Sequence, residues 1–388
     1  MTATTHAPPP AAPAASLRTI AREWTRIGLT GFGGPPAHIA LLRRLVVQRR
    51  GWLDARAFED ANAACSLLPG PASTQMAIFC AYRAGGPAGA IVGGLGFIVP
   101  AVVMILALSV LFLAHAPPDW VRGAGAGAGA AVAAVAAHAA RGLIGPSFAR
   151  VRTQRARLAR WSVYVLAGAL AAVLIGPWLV LVLLACGAVE TAIRVTPATP
   201  ASATLAGAVH AGGVGALAWT ALKIGALAFG GGFVIIPLMQ GDAVHTYHWM
   251  SNAQFLNAVA LGQVTPGPVV ATVAAVGYAA HGIGGGVLAA AVAFSPSFSF
   301  VLLGGRRFDA LREDGRARAF LDGAGPAAIG AILGAAVTLA RVLPDAWQFG
   351  VLAAAAVALL LLRRGVVATL VAAGAIGAIV ALSGGPLP

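Results

Sequence analysis

Apolar runs long enough to cross a bilayer recur along the whole chain, at 87–114, 161–193, 205–238, 283–304, 346–362 and 366–383. A spanning helix needs roughly 20 apolar residues, and only 10% of the 388 residues are charged against 59% hydrophobic. Soluble domains carry about 25% charged residues, so this chain cannot cover a water-facing surface. With a mean hydropathy of +0.84, the expected fold is all-α, a polytopic helical membrane protein.

The net charge of +14 would point to nucleic acid in a soluble protein. Here the arginines gather between apolar runs: Arg43, Arg44, Arg49 and Arg50, then Arg150 to Arg160, then Arg306 to Arg318, then Arg363 and Arg364. That is the pattern of cytoplasmic loops, and nucleic acid is excluded as a partner. Residues 1–17 read as a disordered Pro/Ala-rich tail with no signal-peptide pattern. Cys65, Cys80 and Cys186 have no metal-ligand spacing and read as small core residues. No metal, cofactor or catalytic constellation is expected, which argues against an enzyme.

The chain repeats itself. "RIGLTGFGGP" at 26–35 returns as "KIGALAFGGG" at 223–232, and "LLPGP" at 67–71 returns as "VTPGP" at 264–268. Both pairs, with Trp52/Trp249 and Phe58/Phe255, obey one offset of 197. Gly85/Gly282, Gly89/Gly286 and Phe97/Phe294 extend the same offset, and Gly123/Gly323 continues it at 200. Two homologous halves follow, 18–195 and 205–388.

Charge tests whether the halves are inverted, as in many transporters. Arg43–Trp52 holds four arginines, whereas its counterpart Gln240–Trp249 holds Asp242, His245 and His248 and no Arg or Lys. The first loop is therefore expected inside and the second outside. The remaining clusters fit if 53–83 enters and returns on one side and 205–238 crosses outward.

The paired signatures "GLTGFGGPPAHIA" with "LLPGPASTQ", and "KIGALAFGGGFVIIP" with "VTPGPVVAT", resemble the chromate ion transporter family in its long, two-domain form. The resemblance covers roughly 18–385 and implies export of chromate, or of a sulfate-like oxyanion, across the bacterial inner membrane. The partners implied are a small inorganic oxyanion (chromate or sulfate) and the lipid bilayer, and a homodimer is compatible with it. After "AVAF", "SPSFSF" departs from the family's Phe-x-Pro, with a helix break still expected there.

Pro69-Gly70-Pro71 and Pro266-Gly267-Pro268 break helices at membrane depth, which survives only where backbone lines a cavity or is buried in protein. Helices restarting at Pro71 and Pro268 would offer N–H groups to an anion, at Ala72, Ser73 and Thr74 in the first half, with side-chain donors from Ser73, Thr74, Gln75 and Thr272. The alternative is a pair of surface turns. Arg26 and Lys223, the only lysine, are repeat partners one turn before Phe-Gly-Gly. A cation there suits an anion, or snorkels to the interface. Gly33, Gly34, Gly230 and Gly231 let backbone approach an ion or permit close packing. The glycines at 85, 89 and 93 read as a packing face, and Trp52 and Trp249 as interface anchors. His38 has Ile235 as its repeat partner, which weighs against a proton-sensing role. Asp54, Glu59 and Asp60 read as a solvated helix face.

Overall fold

The structure, a computed structural model, describes residues 15–67, 70–114, 116–194, 213–228, 233–304 and 314–387. It is helical, with no strand among the described residues.

The first half runs through α1 (Leu17–Thr30), α2 (Gly34–Arg43, prolonged by a π-helical turn to Arg49), α3 (Ala55–Leu67), α4 (Ala72–Phe112), α5 (Asp119–Ala149), α6 (Arg155–Leu174) and α7 (Leu179–Arg194). The second repeats it: α8 (Val214–Leu227), α9 (Ile235–Gln240, with a π-helical turn to Thr246), α10 (Asn252–Val264), α11 (Val273–Gly304, preceded by a 3-10 turn Val269–Thr272), α12 (Gly315–Arg341), α13 (Ala346–Ala356) and α14 (Val366–Leu382). The bounds of α1/α8 and α3/α10, and of the two π-helical turns, are offset by 197 residues.

Both long central helices are folded in two. In α4 the backbone leaves helical geometry at Gly85 and Gly86 (φ +66°), and in α11 at His281 and Gly282 (φ +64°). These kinks differ by 196, so the expected 197 register is lost between the PGP loop and the kink. The true equivalents are Gly86/Gly282 and Gly89/Gly285, and Phe97 matches Ala293 instead of Phe294. The 3-10 turn after Pro268 stands where the first half already has α-helix, and the shift falls beside it. Beyond each kink the chain doubles back. A Cβ on Gly89 or Gly93 would strike Ala81, and one on Gly285 would strike Gly277. As expected, 53–83 enters and returns on one side.

Among the described residues, five segments are long and apolar enough to cross a membrane: Ala72–Phe112, Asp119–Ala149, Arg155–Leu174, Val269–Gly304 and Gly315–Arg341. The expected crossing at 205–238 lies partly outside the described residues, which hold 213–228 and 233–238 of it. α8 stops at Leu227 after 14 residues, about 21 Å at 1.5 Å per residue, short of the ~30 Å hydrocarbon thickness. The break expected at "SPSFSF" is also absent, because α11 continues helically through Pro296. Residues 15–17, assigned to the tail, belong to the fold: Ala15 N–H donates to Ala84 O at 2.9 Å and the Ser16 side chain caps α1.

Inversion is visible in the centre. Phe298 of α11 lies over Gly94 of α4, and Leu106 of α4 over Gly286 of α11. The equivalent segments therefore run antiparallel, as the arginine contrast required. Farther out the halves exchange partners. α5 packs on α14 through Gly123/Gly377 and Gly127/Ala373, while α12 packs on α6 through Gly330/Val165 and on α7 through Gly323/Cys186. Missing side chains let these backbones approach, the usual device where lipid provides no hydrophobic drive between helices. An ion cluster pins the same exchange. Glu190 of α7 accepts from Arg160 (2.8 Å), Arg194 (2.6 Å) and Tyr164 (3.0 Å), and Arg194 also reaches Asp322 of α12 at 2.7 Å.

Candidate functional site

α1 packs along the outgoing segment of α4, with Ile20 beside Gly85 and Gly89, Trp24 beside Gly93 and Gly28 against Gly96 and Phe97. With the Gly86 kink placed at the membrane surface, Phe97, eleven residues beyond it, lies about 16 Å along the helix, half the ~30 Å hydrocarbon core. α1 thus ends near mid-depth, at Gly31. The chain then turns through Gly33 (φ +101°) and Gly34 (φ +72°) into α2. Left-handed backbone of this kind favours glycine.

The two PGP loops cross here. Gly70 (φ +112°) and Gly267 (φ +101°) adopt the same left-handed conformation, and each lies on the opposite half. A Cβ on Gly267 would come 2.7 Å from Ala101 and 3.7 Å from the Phe97 carbonyl oxygen, both of α4. One on Gly70 would come 3.1 Å from Gly225 O of α8 and 3.7 Å from Ser297 Oγ of α11. Gly267 N–H donates to Gly31 O at 3.0 Å, so the second PGP loop is bonded to the break after α1. Pro71, Pro266 and Pro268 are buried, against the surface-turn alternative. Pro69, Gly230 and Gly231 lie outside the described residues.

His38, on the second turn of α2, is fully buried. Its Nε2–H donates to the same Gly31 carbonyl at 2.9 Å, since a carbonyl oxygen can only accept. Nδ1 is then the acceptor, and Ser73 Oγ–H donates to it at 3.4 Å. The ring stands edge-on to Phe97 with centroids 5.0 Å apart. His38 therefore ties the α1 break to the helix that starts after the first PGP, and through Gly31 to the second.

Ser73, Thr74 and Gln75 are all buried. The N–H groups of Thr74 and Gln75 both donate to Pro71 O, at 2.9 and 3.0 Å. The Thr74 amide, expected to be open to an anion, is thus already used by the tight first turn. Thr272 Oγ1 donates to Val269 O at 2.7 Å within its own turn. Thr74 Oγ1 and Ser297 Oγ are different: both residues are 0% exposed, and neither oxygen has a hydrogen-bond partner. An unsatisfied buried hydroxyl costs about 1–3 kcal/mol, which a bound acceptor would recover. No group of metal-ligating side chains occurs among the described residues.

The two cations lie in unlike settings. Arg26 is on the exposed face of α1, away from the crossed loops. Lys223 Nζ is 2.6 Å from Asp242 Oδ2, with Asp242 buried and also accepting from Thr220 Oγ1 at 2.9 Å. A fixed carboxylate, and not a substrate alone, balances Lys223. The first half inverts the arrangement: the carboxylate is Glu23 on α1 and the cation is Arg50 after α2, 2.5 Å apart. The acidic residues before the first PGP stay at the periphery, with Asp54 Oδ1 accepting from Ala57 N–H and Glu59 paired with Arg43 at 3.0 Å. Cys65, Cys80 and Cys186 are buried and free.

Two residues at the crossed loops, Ser297 and His38, carry little signal in the sequence. A serine in an apolar helix gives no signal until the fold sets it against Gly70. His38 has Ile235 as its repeat partner, and its contacts to Gly31 and Ser73 arise only in the fold.

Two inverted helical halves whose broken helices cross at the centre define a multi-pass membrane protein, an arrangement that recurs among transporters. The family model described as "Chromate transporter" matches residues 18–191 and 215–378. The chain belongs to the chromate transporter family. It is 32% identical to a chromate transport protein of Cupriavidus metallidurans over 85% of this chain and 84% of that one. It is likewise 32% identical to a chromate transport protein of Pseudomonas aeruginosa, over 88% and 84%. A probable chromate transport protein of Synechococcus elongatus is 28% identical over 85% and 86%. No solved structure matches the chain.

Proposed function

We propose that this protein is a secondary transporter that exports chromate, or a related sulfate-like oxyanion, across the bacterial inner membrane. The anion binds where the two PGP loops cross, among Gly70, Pro71, Ser73, Thr74 and Gln75 of one half and Pro266, Gly267, Pro268 and Thr272 of the other. The observation that carries this reading is the pair of buried, unpartnered hydroxyls, Thr74 Oγ1 and Ser297 Oγ, beside Gly70 and the helix start at Ala72. Hydroxyl donors and a helix N-terminus are what an oxyanion requires at depth. Lys223 supplies positive charge near this centre, two residues before Gly225, and releases it to the anion by exchanging Asp242 for substrate. An anion leaving a negative-inside cell gains about 2.3 kcal/mol per charge per 100 mV, so the membrane potential or proton exchange suffices as a driving force.

Inverted vesicles, cytoplasmic face outward, test the proposal. Chromate, sulfate and molybdate uptake is measured with and without a proton gradient. Saturable chromate uptake with counterflow is expected. Flux without counterflow would mean a channel, and no oxyanion flux would overturn the reading.

A further inference from the structure

Arg18, Arg22 and Arg26 follow one another at four-residue intervals on α1, and all three are exposed. They line a shallow, open groove of about 520 Å³ with Thr25, Leu29 and Thr30. No carboxylate among the described residues comes within ion-pairing distance of any of them. Glu23, three residues before Arg26, is held by Arg50 and Arg49 instead. The packing of α1 on α4 fixes their depth. Ile20 is level with the Gly85 kink and Gly28 with Phe97, so the stripe climbs from the membrane surface to near mid-depth, about 12 Å from Arg18 to Arg26 at 1.5 Å per residue. A guanidinium turned to hydrocarbon at that depth is costly, and such residues face water or a cavity.

The inverted repeat supplies the comparison. At the same three positions α8 carries Gly215, Trp219 and Lys223, and that lysine is already paired with Asp242. Among the described residues, the α1 face thus carries three arginines outside any ion pair, where the equivalent α8 face carries one cation held by a carboxylate.

We infer that the outer face of α1 is a water-filled access lane for tetrahedral oxyanions, in which Arg18, Arg22 and Arg26 draw the anion from the Arg43–Arg50 side of the membrane to the crossed PGP loops. The inference rests on the oxyanion reading above and adds the path and its direction. Three cations on one side and a neutralised one on the other concentrate dianions at one mouth only. Arg26 thereby acts in the lane and not at the central site.

Thr25→Cys in the full-length chain places a thiol in the groove, and the native cysteines are buried. In inverted vesicles, the membrane-impermeant anionic sulfonatoethyl methanethiosulfonate should label Cys at 25 faster than the neutral hydroxyethyl reagent. With Arg22→Gln and Arg26→Gln added, that preference should fall about tenfold, and Arg22→Lys with Arg26→Lys should keep it. In the background without Thr25→Cys, the double Gln variant should raise the chromate KM about tenfold at unchanged Vmax. No labelling, or labelling without anionic preference, overturns the lane whatever the transport result. If wild type carries no chromate but the preference is present, the substrate reading falls and the lane stands. Phosphate headgroups are the other source of the same chemistry. Labelling is therefore repeated in proteoliposomes of phosphatidylcholine alone and with phosphatidylglycerol, relative to Gln48→Cys. A preference abolished by phosphatidylglycerol assigns the stripe to lipid and overturns the lane.

Discussion

The carbonyl oxygen of Gly31 accepts the backbone N–H of Gly267 at 3.0 Å, across 236 positions of sequence. One half's helix break is thereby bonded to the other half's PGP loop. His38 Nε2–H occupies the same oxygen, so a shift of either loop is felt by both. Two inverted units that met only through side chains could rock independently. Here a backbone hydrogen bond joins the two breaks, so rocking of one half must carry this bond along or break it at about 1 kcal/mol.

Glycine at 267 should therefore be indispensable and glycine at 34 much less so. Both have positive φ, but a Cβ at Gly267 meets Ala101 at 2.7 Å, whereas one at Gly34 meets nothing within 4 Å. Gly34→Ala is expected to cost about 1 kcal/mol of backbone strain. Gly267→Ala adds about 1–3 kcal/mol of overpacking and should also lose transport. Thermal unfolding of the purified variants checks the order, and equal midpoints would remove the crossed-loop geometry from consideration.

The inverted arrangement predicts opposite labelling. Gln48 and Thr246 lie in the last two residues of the two equivalent π-helical turns and are exposed. Single cysteines there should react with an impermeant maleimide from opposite faces, Gln48→Cys in inverted vesicles and Thr246→Cys in intact spheroplasts. Labelling of both from one face would contradict the antiparallel run of α4 and α11.

Much of this architecture was legible in the sequence because lipid leaves few options. The apolar runs, the 197 offset and the arginine contrast of 43–52 against 240–249 require two inverted helical halves, and PGP at depth requires broken helices. What stayed hidden depends on which surfaces meet. Nothing in the sequence says that α5 packs on α14 and α12 on α6, since Gly and Ala are spread over every helix. The one-residue shift beside the 3-10 turn at Val269–Thr272 was concealed by chance matches such as Phe97/Phe294. Lys223 read as unbalanced because Asp242, nineteen residues on, becomes its neighbour only when α8 and the π-helical turn fold together.

The exchange of hairpins between halves should make Glu190 a stability determinant. Its side chain is 2% exposed and holds Arg160 and Arg194, while Asp322, 31% exposed, holds Arg194 alone. Glu190→Gln leaves two guanidinium groups without their shared carboxylate in a poorly solvated place, at about 3 kcal/mol. Asp322→Asn touches one partly solvated bond and should cost 1 kcal/mol or less, roughly as surface pairs do. Unfolding midpoints in detergent test the ranking. An Asp322 variant as unstable as the Glu190 variant would show that the α7–α12 bond, and not the buried carboxylate, secures the exchange.

The Lys223–Asp242 pair separates two roles for the chain's only lysine. If Lys223 serves only to balance Asp242, then removing both charges should restore what removing one destroys. If it also serves the oxyanion, the double variant should be stable but inactive. Lys223→Gln strands a buried carboxylate, a loss of about 3–5 kcal/mol when one partner of a buried pair is deleted, and should lower both the amount of folded protein and its transport. Asp242→Asn leaves the cation free for the anion, and chromate flux per folded molecule should be retained with a lower KM. Lys223→Gln with Asp242→Asn removes the pair altogether, and stability should return to near wild type because no unpaired charge is left at depth. Flux should stay low, since the centre then relies on helix ends and hydroxyls to hold a dianion in a low-dielectric setting. The measurement is chromate uptake in inverted vesicles, normalised to folded protein from fluorescence-detected size exclusion. A double variant that transports like wild type would confine Lys223 to pairing with Asp242 and leave charge compensation to the helix ends alone.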